Sequence, residues 1–359
     1  MVAISCNCHR EVNMKKEKSG SMSRRNFMIL GCGALGGLHA FRSFDPQQAV
    51  DPLPEAEGKI GTGSATRVAL VRSDNRKAGV RKALELLKIN PCRGKEVLLK
   101  PNFNTSDPTP GSTHNDVLQE LLQMIKDMGA KKLSIGDRSG PEPTAQVLQK
   151  KGIHGLAREF GAQVLDLDEM GEKGYVLIEP PGSHWQKGFL AARAVTEAEC
   201  VVSTCCLKTH QYGGIFTLSL KNSVGIVPRK NHPFMKELHS SPHQRRMIAE
   251  INTAYSPSLI VIDGLEAFVD GGPMTGTRKT ANVFLAGTDR IAMDAVAVAI
   301  LKDLGSTKEI MEKKVFEQEQ IARAVELRLG IDSPAAIEII TADQESELYA
   351  RKIKQILIA

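Results

Sequence analysis

The chain has 359 residues, enough for one large α/β domain or two medium ones. Aromatic residues make up only 4%, too few for the stacking surface that single-stranded nucleic acid requires. The net charge of +6 is mostly local: residues 1–40 hold six Lys/Arg and two acids, which leaves 41 Lys/Arg against 39 Asp/Glu elsewhere, so no nucleic-acid partner is indicated.

The first 40 residues read as a leader. Ser23-Arg24-Arg25-Asn26-Phe27-Met28 precedes Ile29 to Ala40, a glycine-rich, mildly apolar, uncharged run. This resembles a twin-arginine export signal, which implies the export machinery as a partner, a periplasmic destination and a protein folded before transport. Ile29-Leu30-Gly31-Cys32 also resembles a lipoprotein box, but it lies too close to the arginines to leave a normal apolar region. Gly31-x-Gly33-x-x-Gly36 matches the dinucleotide fingerprint letter for letter. It lacks the preceding strand and the βαβ setting that the fingerprint needs, so the signal reading is preferred. The apolar run is about 14 residues, short of the roughly 20 needed to cross a bilayer, so no span is expected beyond an uncleaved signal acting as a tether. Residues 41–65, rich in Pro, Gly and acids, read as a linker, and 66–359 as a single α/β domain.

Within that domain Thr66–Arg72 reads as a strand and Ala78–Leu87 as an amphipathic helix. Glu96–Lys100 is a nearly continuous apolar strand, the mark of a sheet covered on both faces. It ends in Lys100-Pro101-Asn102-Phe103-Asn104, which leaves a lysine and two amides at its carboxyl end. Thr113-x-x-Asp116 resembles a capping box before a helix closed by Gly129. Lys132–Ile135 is a third strand, running into Gly136-Asp137, and Gln163–Leu167 a fourth, with a helix broken near Gly152 between them. The order βαβαβαβ predicts a right-handed, mainly parallel sheet with helices on both faces. Tyr175–Glu179 and Gly188–Ala191 read as a small hairpin excursion.

Cys200–Ser203 restores a central strand and delivers the segment with the most chemistry, Cys205 to Pro228. It carries Lys208, His210, Lys221 and Asn222, with Ile215–Leu220 compatible with one and a half helical turns. Gly213-Gly214 offers a backbone that a ligand can approach closely. Three cationic or switchable groups and an amide can together grip a carboxylate or phosphate. Residues 229–241, with His232 and His239, form a polar loop placed to fold over such a site. Leu259–Ile262 is a strand ending at Asp263, and Asn282–Leu285 another. The helix Arg290–Leu301 is apolar around almost its whole circumference and must be buried, so Asp294 within it requires a partner. Ala336–Ile340 is a last strand and Glu345–Ile358 a closing helix. No Cys-x-x-Cys occurs, and adjacent Cys205 and Cys206 read as packing residues at a strand end.

With these segments in view, residues 66–345 resemble the domain-of-unknown-function family 362. The matching stretches are Val-Leu-Leu-Lys100-Pro-Asn102, Gly136-Asp137, Lys208-Thr-His210, Leu220-Lys221-Asn222-x-x-Gly225, Val261-Ile-Asp263-Gly264 and Asp294-Ala-Val-Ala. Many relatives carry an added module with two ferredoxin-type clusters. This chain lacks that cysteine pattern, so no built-in iron–sulfur cluster is expected. The resemblance strengthens the site and implies no reaction.

The residues support an exported enzyme acting on or with an anionic small molecule or cofactor. Lys208, Lys221 and His210 are the catalytic candidates, with His210 as general acid/base because its ordinary pKa lies near neutrality. Lys100, Asn102, Asn104, Asn222, Gly213 and Gly214 are ligand-binding candidates. Asp137, Asp263 and His232 are candidates for a divalent metal. A lysine among other cations can also act as base or imine-forming nucleophile. The other reading keeps the same cluster in a periplasmic binding or cofactor-handling protein without turnover.

Overall fold

The structure, a computed structural model, describes residues 65–359. The export-signal reading and all but the last residue of the linker reading fall outside the described residues. The strands are β1 (Thr66–Arg72), β2 (Glu96–Lys100), β3 (Lys132–Asp137), β4 (Gln163–Asp166), β5 (Tyr175–Ile178), β6 (Phe189–Ala192), β7 (Cys200–His210), β8 (Ile215–Thr217), β9 (Leu259–Phe268), β10 (Arg278–Gly287) and β11 (Ile337–Ile340). The main sheet has the order β11-β1-β10-β9-β7-β2-β3-β4, with β8 hanging on β7, while β5 and β6 form the separate hairpin. Within the main sheet, β10 and β8 run against the other strands. The fold is therefore α/β, with a mixed and mainly parallel sheet.

Alternation along each strand sends side chains to two different cores. Val68, Leu70, Ile260, Ile262, Val283 and Leu285 pack on one face around the helix Arg290–Asp303. Ala69, Val71, Leu259, Val261, Phe284 and Ala286 pack on the other, against the helices Arg76–Leu87 and Asn115–Asp127. Helix Arg290–Asp303 is buried from Arg290 through Leu301, as its all-round apolar surface requires. Asp294 finds its partners in two backbone amides, Ser219 N at 2.7 Å and Leu220 N at 3.0 Å, instead of a cation.

Strand order, which the expectation left open, is one finding, and three other features differ from expectation. The βαβαβαβ series is not a row of neighbours: β10, β9 and β7 separate β1 from β2. Local apolar pattern marks strands without choosing their partners, and β1 pairs with β10 and β11 from the far end of the chain. Strand β7 does not stop at Ser203 but runs on to His210, and β9 runs on to Phe268. Their polar extensions stay extended because β8 and the start of β10 continue the ladder beyond the carboxyl edge. Residues 215–220 are a short strand followed by the helix Ser219–Asn222, since Ile215–Thr217 folds back onto Lys208–His210. Finally, the helix at 115 is capped by the His114 ring, which accepts from Asp116 N at 3.1 Å. Thr113 Oγ1 instead accepts from Asn102 N at 2.9 Å and ties that loop down.

Candidate active site

The chain runs outward through β2, β3 and β4 on one side and through β7, β9 and β10 on the other. The β2/β7 boundary is thus the point where strand order reverses, and its carboxyl end is where open α/β sheets form a crevice. Lys100 ends β2 opposite Ser203 of β7. Asp137 and Arg138 follow from β3, and the helix Ser219–Asn222 brings Lys221 and Asn222 over the same spot.

The floor is a set of buried polar groups that satisfy one another. Lys100 Nζ donates to Asp137 Oδ1 at 2.7 Å, and to Pro101 O and Asn222 Oδ1, each at 3.3 Å. Burial pulls the Lys100 pKa below its ordinary value, against the opposing pull of Asp137. The second Asp137 oxygen accepts from Phe103 N at 2.6 Å. Asn222 Nδ2 donates to Ser203 Oγ at 3.0 Å and Thr204 O at 3.3 Å, which locks the short helix to β7. Gly225 is required here: a Cβ would lie 2.2 Å from Asp137 Oδ1 and 2.8 Å from Lys100 Nζ. Arg138 is buried with its guanidinium donating to the carbonyls of Val227, Ser139 and Val224. Burial lowers its pKa to about 10.

Above this floor lies a cavity of about 390 Å³. Its polar walls come from Arg138, Arg229, Lys221, His210, His239 and Asn104, and its apolar walls from Met235, Met274, Val224, Pro273 and Tyr212. Among the described residues no carboxylate side chain lines it. It deepens into a recess of about 40 Å³ reached by Asn102, Asn104, Thr217 and Lys221, with Arg138 and the Lys100-paired carboxylate Asp137 also in its lining. In that recess Asn102 Oδ1, Asn104 Nδ2 and Thr217 Oγ1 are buried with no hydrogen-bond partner. Buried polar atoms are normally paired, so three orphans converging on one recess mark a place for a ligand's polar group.

Lys221 reaches both chambers and is partly exposed. Its pKa falls to about 7, through burial first and then the charges of Lys208 and Arg138; among the described residues no acid or hydrogen bond offsets them. His210 is 6% exposed, and its Nδ1 has no partner. Burial, then Lys221 and Lys208, hold its pKa far below the ordinary range, so the ring is neutral at physiological pH.

The structure brings Lys100, Asn102, Asn104, His210, Lys221 and Asn222 together. Lys208 lies in the same cluster but beneath the cavity: its ammonium donates to Gly111 O and, at 3.3 Å, to Pro273 O. It clamps two loops, and burial lowers its pKa to about 8. Gly214 serves side-chain packing more than ligand approach, since a Cβ there would meet Lys221 Cε and His210 Nδ1. At Gly213 (φ +78°) a Cβ would strike Gln244 Oε1.

The three metal candidates are not together. Asp137 is paired with Lys100. Asp263 is paired with Arg76 at 3.0 Å and stands on β9, separated from the Asp137 strand by β7 and β2. His232 stacks on Phe234 with centroids 5.5 Å apart. Among the described residues no group of three or more His, Cys, Asp or Glu is arranged to hold a metal ion. Each carboxylate has its own cation, which removes the reason for it to recruit another.

Arg138, Thr217 and the methionine walls were not legible in advance as site residues. The one available signal was the position of Arg138, directly after Asp137 at a strand's carboxyl end. Residues 229–241 supply one wall through Arg229, Met235 and His239, the last two on the helix Phe234–Ser240.

Fold and site together define a mainly parallel α/β protein with a cation-lined cavity at the switch point of its sheet. The chain belongs to the family described as Domain of unknown function (DUF362), whose model matches residues 97–299, more than half its length. That match is narrower than the 66–345 of the sequence resemblance. A thylakoid-associated protein of Synechocystis sp. is 27% identical over 252 residues, covering 66% of this chain and 74% of the relative. The lactate racemase apoprotein from Thermoanaerobacterium thermosaccharolyticum aligns over 79% of this chain and 85% of its own, at 14% identity and a TM-score of 0.39.

Proposed function

We propose that the cavity takes an anionic small molecule and that the protein is an enzyme acting on it by proton transfer. The observation that carries this reading is Lys221: a cation with no acid partner among the described residues, at the junction of the cavity and a recess that holds three unpaired polar atoms and whose one carboxylate, Asp137, is committed to Lys100 and Phe103 N. Desolvated cations beside unpaired donors favour a carboxylate or phosphate over a neutral ligand. With a pKa of about 7, Lys221 holds and releases a proton near neutrality, the range in which general acid/base catalysis is most effective. His210 beside it is too weak a base to take that proton, contrary to the acid/base role its ordinary pKa suggested, and serves instead as a neutral hydrogen-bonding group through its unpaired Nδ1.

Calorimetry of the purified protein with inorganic phosphate and with small carboxylates tests the site. Saturable binding that weakens at least tenfold in Lys221→Met is expected; the same affinity in both proteins would sink the reading. The second reading, a binding protein without turnover, is separated by His210→Gln. An enzyme loses rate with affinity mostly kept, whereas a binder changes in affinity alone.

Export is read from residues 23–40. Arg24→Lys with Arg25→Lys should leave the protein in the cytoplasmic fraction, and unchanged fractionation would count against that route. Among the described residues no helix is long and apolar enough to cross a membrane.

A further inference from the structure

Three lysines meet at the floor of the cavity, and two are committed. Lys100 donates to Asp137, Pro101 O and Asn222, and Lys208 donates to Gly111 O and Pro273 O. Among the described residues Lys221 has no such partner, and the charges felt by its amine, those of Lys208 and Arg138, are both positive. We propose that Lys221 is a nucleophilic amine that condenses with the carbonyl carbon of a ligand bearing a ketone or aldehyde and an anionic group, the anion seated among Asn102, Asn104 and Thr217. This inference rests on the anion-site reading and adds a covalent role to it.

The geometry divides the work. A countercharge alone would have Lys221 hold the anion, but the recess has its own unpaired donors in Asn104 Nδ2 and Thr217 Oγ1, and the one carboxylate in its lining, Asp137, has both oxygens engaged by Lys100 and Phe103 N. At about 40 Å³ it has room for a few water-sized groups, so it admits a carboxylate or phosphoryl head and not the body of the ligand. The body must stand in the larger chamber, against Met235 and Met274, with the link between the two at Lys221. Neighbouring cations and burial favour the neutral amine, which is the nucleophilic form.

The step balances without an oxidant. The Nζ lone pair forms the C–N bond as the carbonyl π pair moves to oxygen. A proton passes from nitrogen to that oxygen, giving a carbinolamine. Proton uptake on the oxygen then expels water and leaves a C=N⁺ iminium. The anion in the recess offsets the iminium charge, and hydrolysis reverses every step.

The full chain is incubated at pH 7 with pyruvate in one arm and pyridoxal 5′-phosphate in the other, reduced with cyanoborohydride and mapped by peptide mass spectrometry. A secondary-amine adduct on Lys221, at least tenfold above the median for other lysines and suppressed by inorganic phosphate, is the expected result. Lys221→Arg should abolish it. Enrichment with pyruvate would assign a carboxylate beside the carbonyl; enrichment with pyridoxal phosphate alone would assign a phosphate ester on a larger body. Adducts spread over surface lysines in both arms, with Lys221 unenriched, overturn the proposal. So does undiminished Lys221 labelling in Asn104→Asp, which places a repelling carboxylate at the recess while keeping the lysine. Phosphate calorimetry on the same protein separates the two levels. Binding that depends on Lys221 without any labelling removes the imine and keeps the anion site, whereas no anion binding and no labelling removes both.

Discussion

Lys221 and His210 converge on Gly214: a side chain there would begin 2.7 Å from Lys221 Cε and 2.8 Å from His210 Nδ1. The hairpin between β7 and β8 thus turns on a residue whose missing Cβ makes room for both functional groups. Gly214→Ala should displace the lysine, the more flexible of the two, and press on the imidazole. An overpacked site of this kind loses about 1–3 kcal/mol of stability. The expected outcome is a folded protein with that modest loss, by urea titration, and at least tenfold weaker phosphate binding. Wild-type affinity in the variant would mean that neither group touches the anion.

The buried pair beneath them has a sharper dependence. Lys100 is fully buried and Asp137 is 2% exposed, so removing one partner leaves a charge in the interior without compensation. Asp137→Ala should cost about 3–5 kcal/mol. Lys100→Met combined with Asp137→Asn removes both charges and should recover more than half of that loss. Unfolding curves of the two variants decide this: equal losses would show that the carboxylate matters through Phe103 N alone and not through the lysine.

The sheet and the residues at its carboxyl edge could be read in advance because apolar runs and their polar endings are local properties. Lys100, Asn102, Asn104, His210, Lys221 and Asn222 each stand at or just beyond such an ending. The division of labour among the lysines could not be read. Lys208 and Lys221 look alike in sequence, and they differ because carbonyls from two distant loops, at Gly111 and Pro273, reach one and not the other. Asp263 looked like a ligand for the same reason that Asp137 did. Its pairing with Arg76, 187 positions away, depends on how the first helix packs on β9. Polar residues do not by themselves stop a strand: β7 runs on to His210 and β9 to Phe268. Lys208 and His210 stay in β7 because the tertiary structure supplies cover for polar side chains that local pattern assigns to a loop.

His210 makes acid stability a readout of its environment. Its folded pKa lies below the unfolded value of about 6.5, so below that pH the unfolded state takes up a proton that the folded state refuses. Stability attributable to this group is therefore intact above about pH 6.5 and falls as pH drops, by about 1.4 kcal/mol per pH unit. His210→Gln removes the term. The difference in unfolding free energy between wild type and variant should shift toward the variant by about 2 kcal/mol between pH 6.5 and pH 5. A constant difference over that range would mean that the imidazole is free to protonate in the folded protein, and that burial beside Lys221 and Lys208 does not keep it neutral.

Asp294 holds the helix that carries Lys221 and lines neither the cavity nor the recess. It sits in the core helix and accepts from Ser219 N and Leu220 N, the first residues of the short helix that carries Lys221 and Asn222. Burial raises its pKa to about 7 in spite of those two hydrogen bonds, so between the unfolded value near 3.8 and pH 7 the folded state binds the proton more tightly. For a carboxyl shifted upward, stability falls as pH rises through that window. Asp294→Asn removes the titration and should flatten the stability profile between pH 4 and pH 7. It also puts an amide nitrogen where one of the two backbone amides needs an acceptor. Asp294→Ala leaves both amides without an acceptor, at about 1–3 kcal/mol each. Loosening that helix moves Lys221 relative to the recess, so Asp294→Ala should weaken phosphate binding severalfold even at a pH and temperature where circular dichroism shows the protein folded. Unchanged affinity in the folded variant would mean that β8 and Asn222 hold the helix by themselves, and that the carboxylate contributes to stability alone.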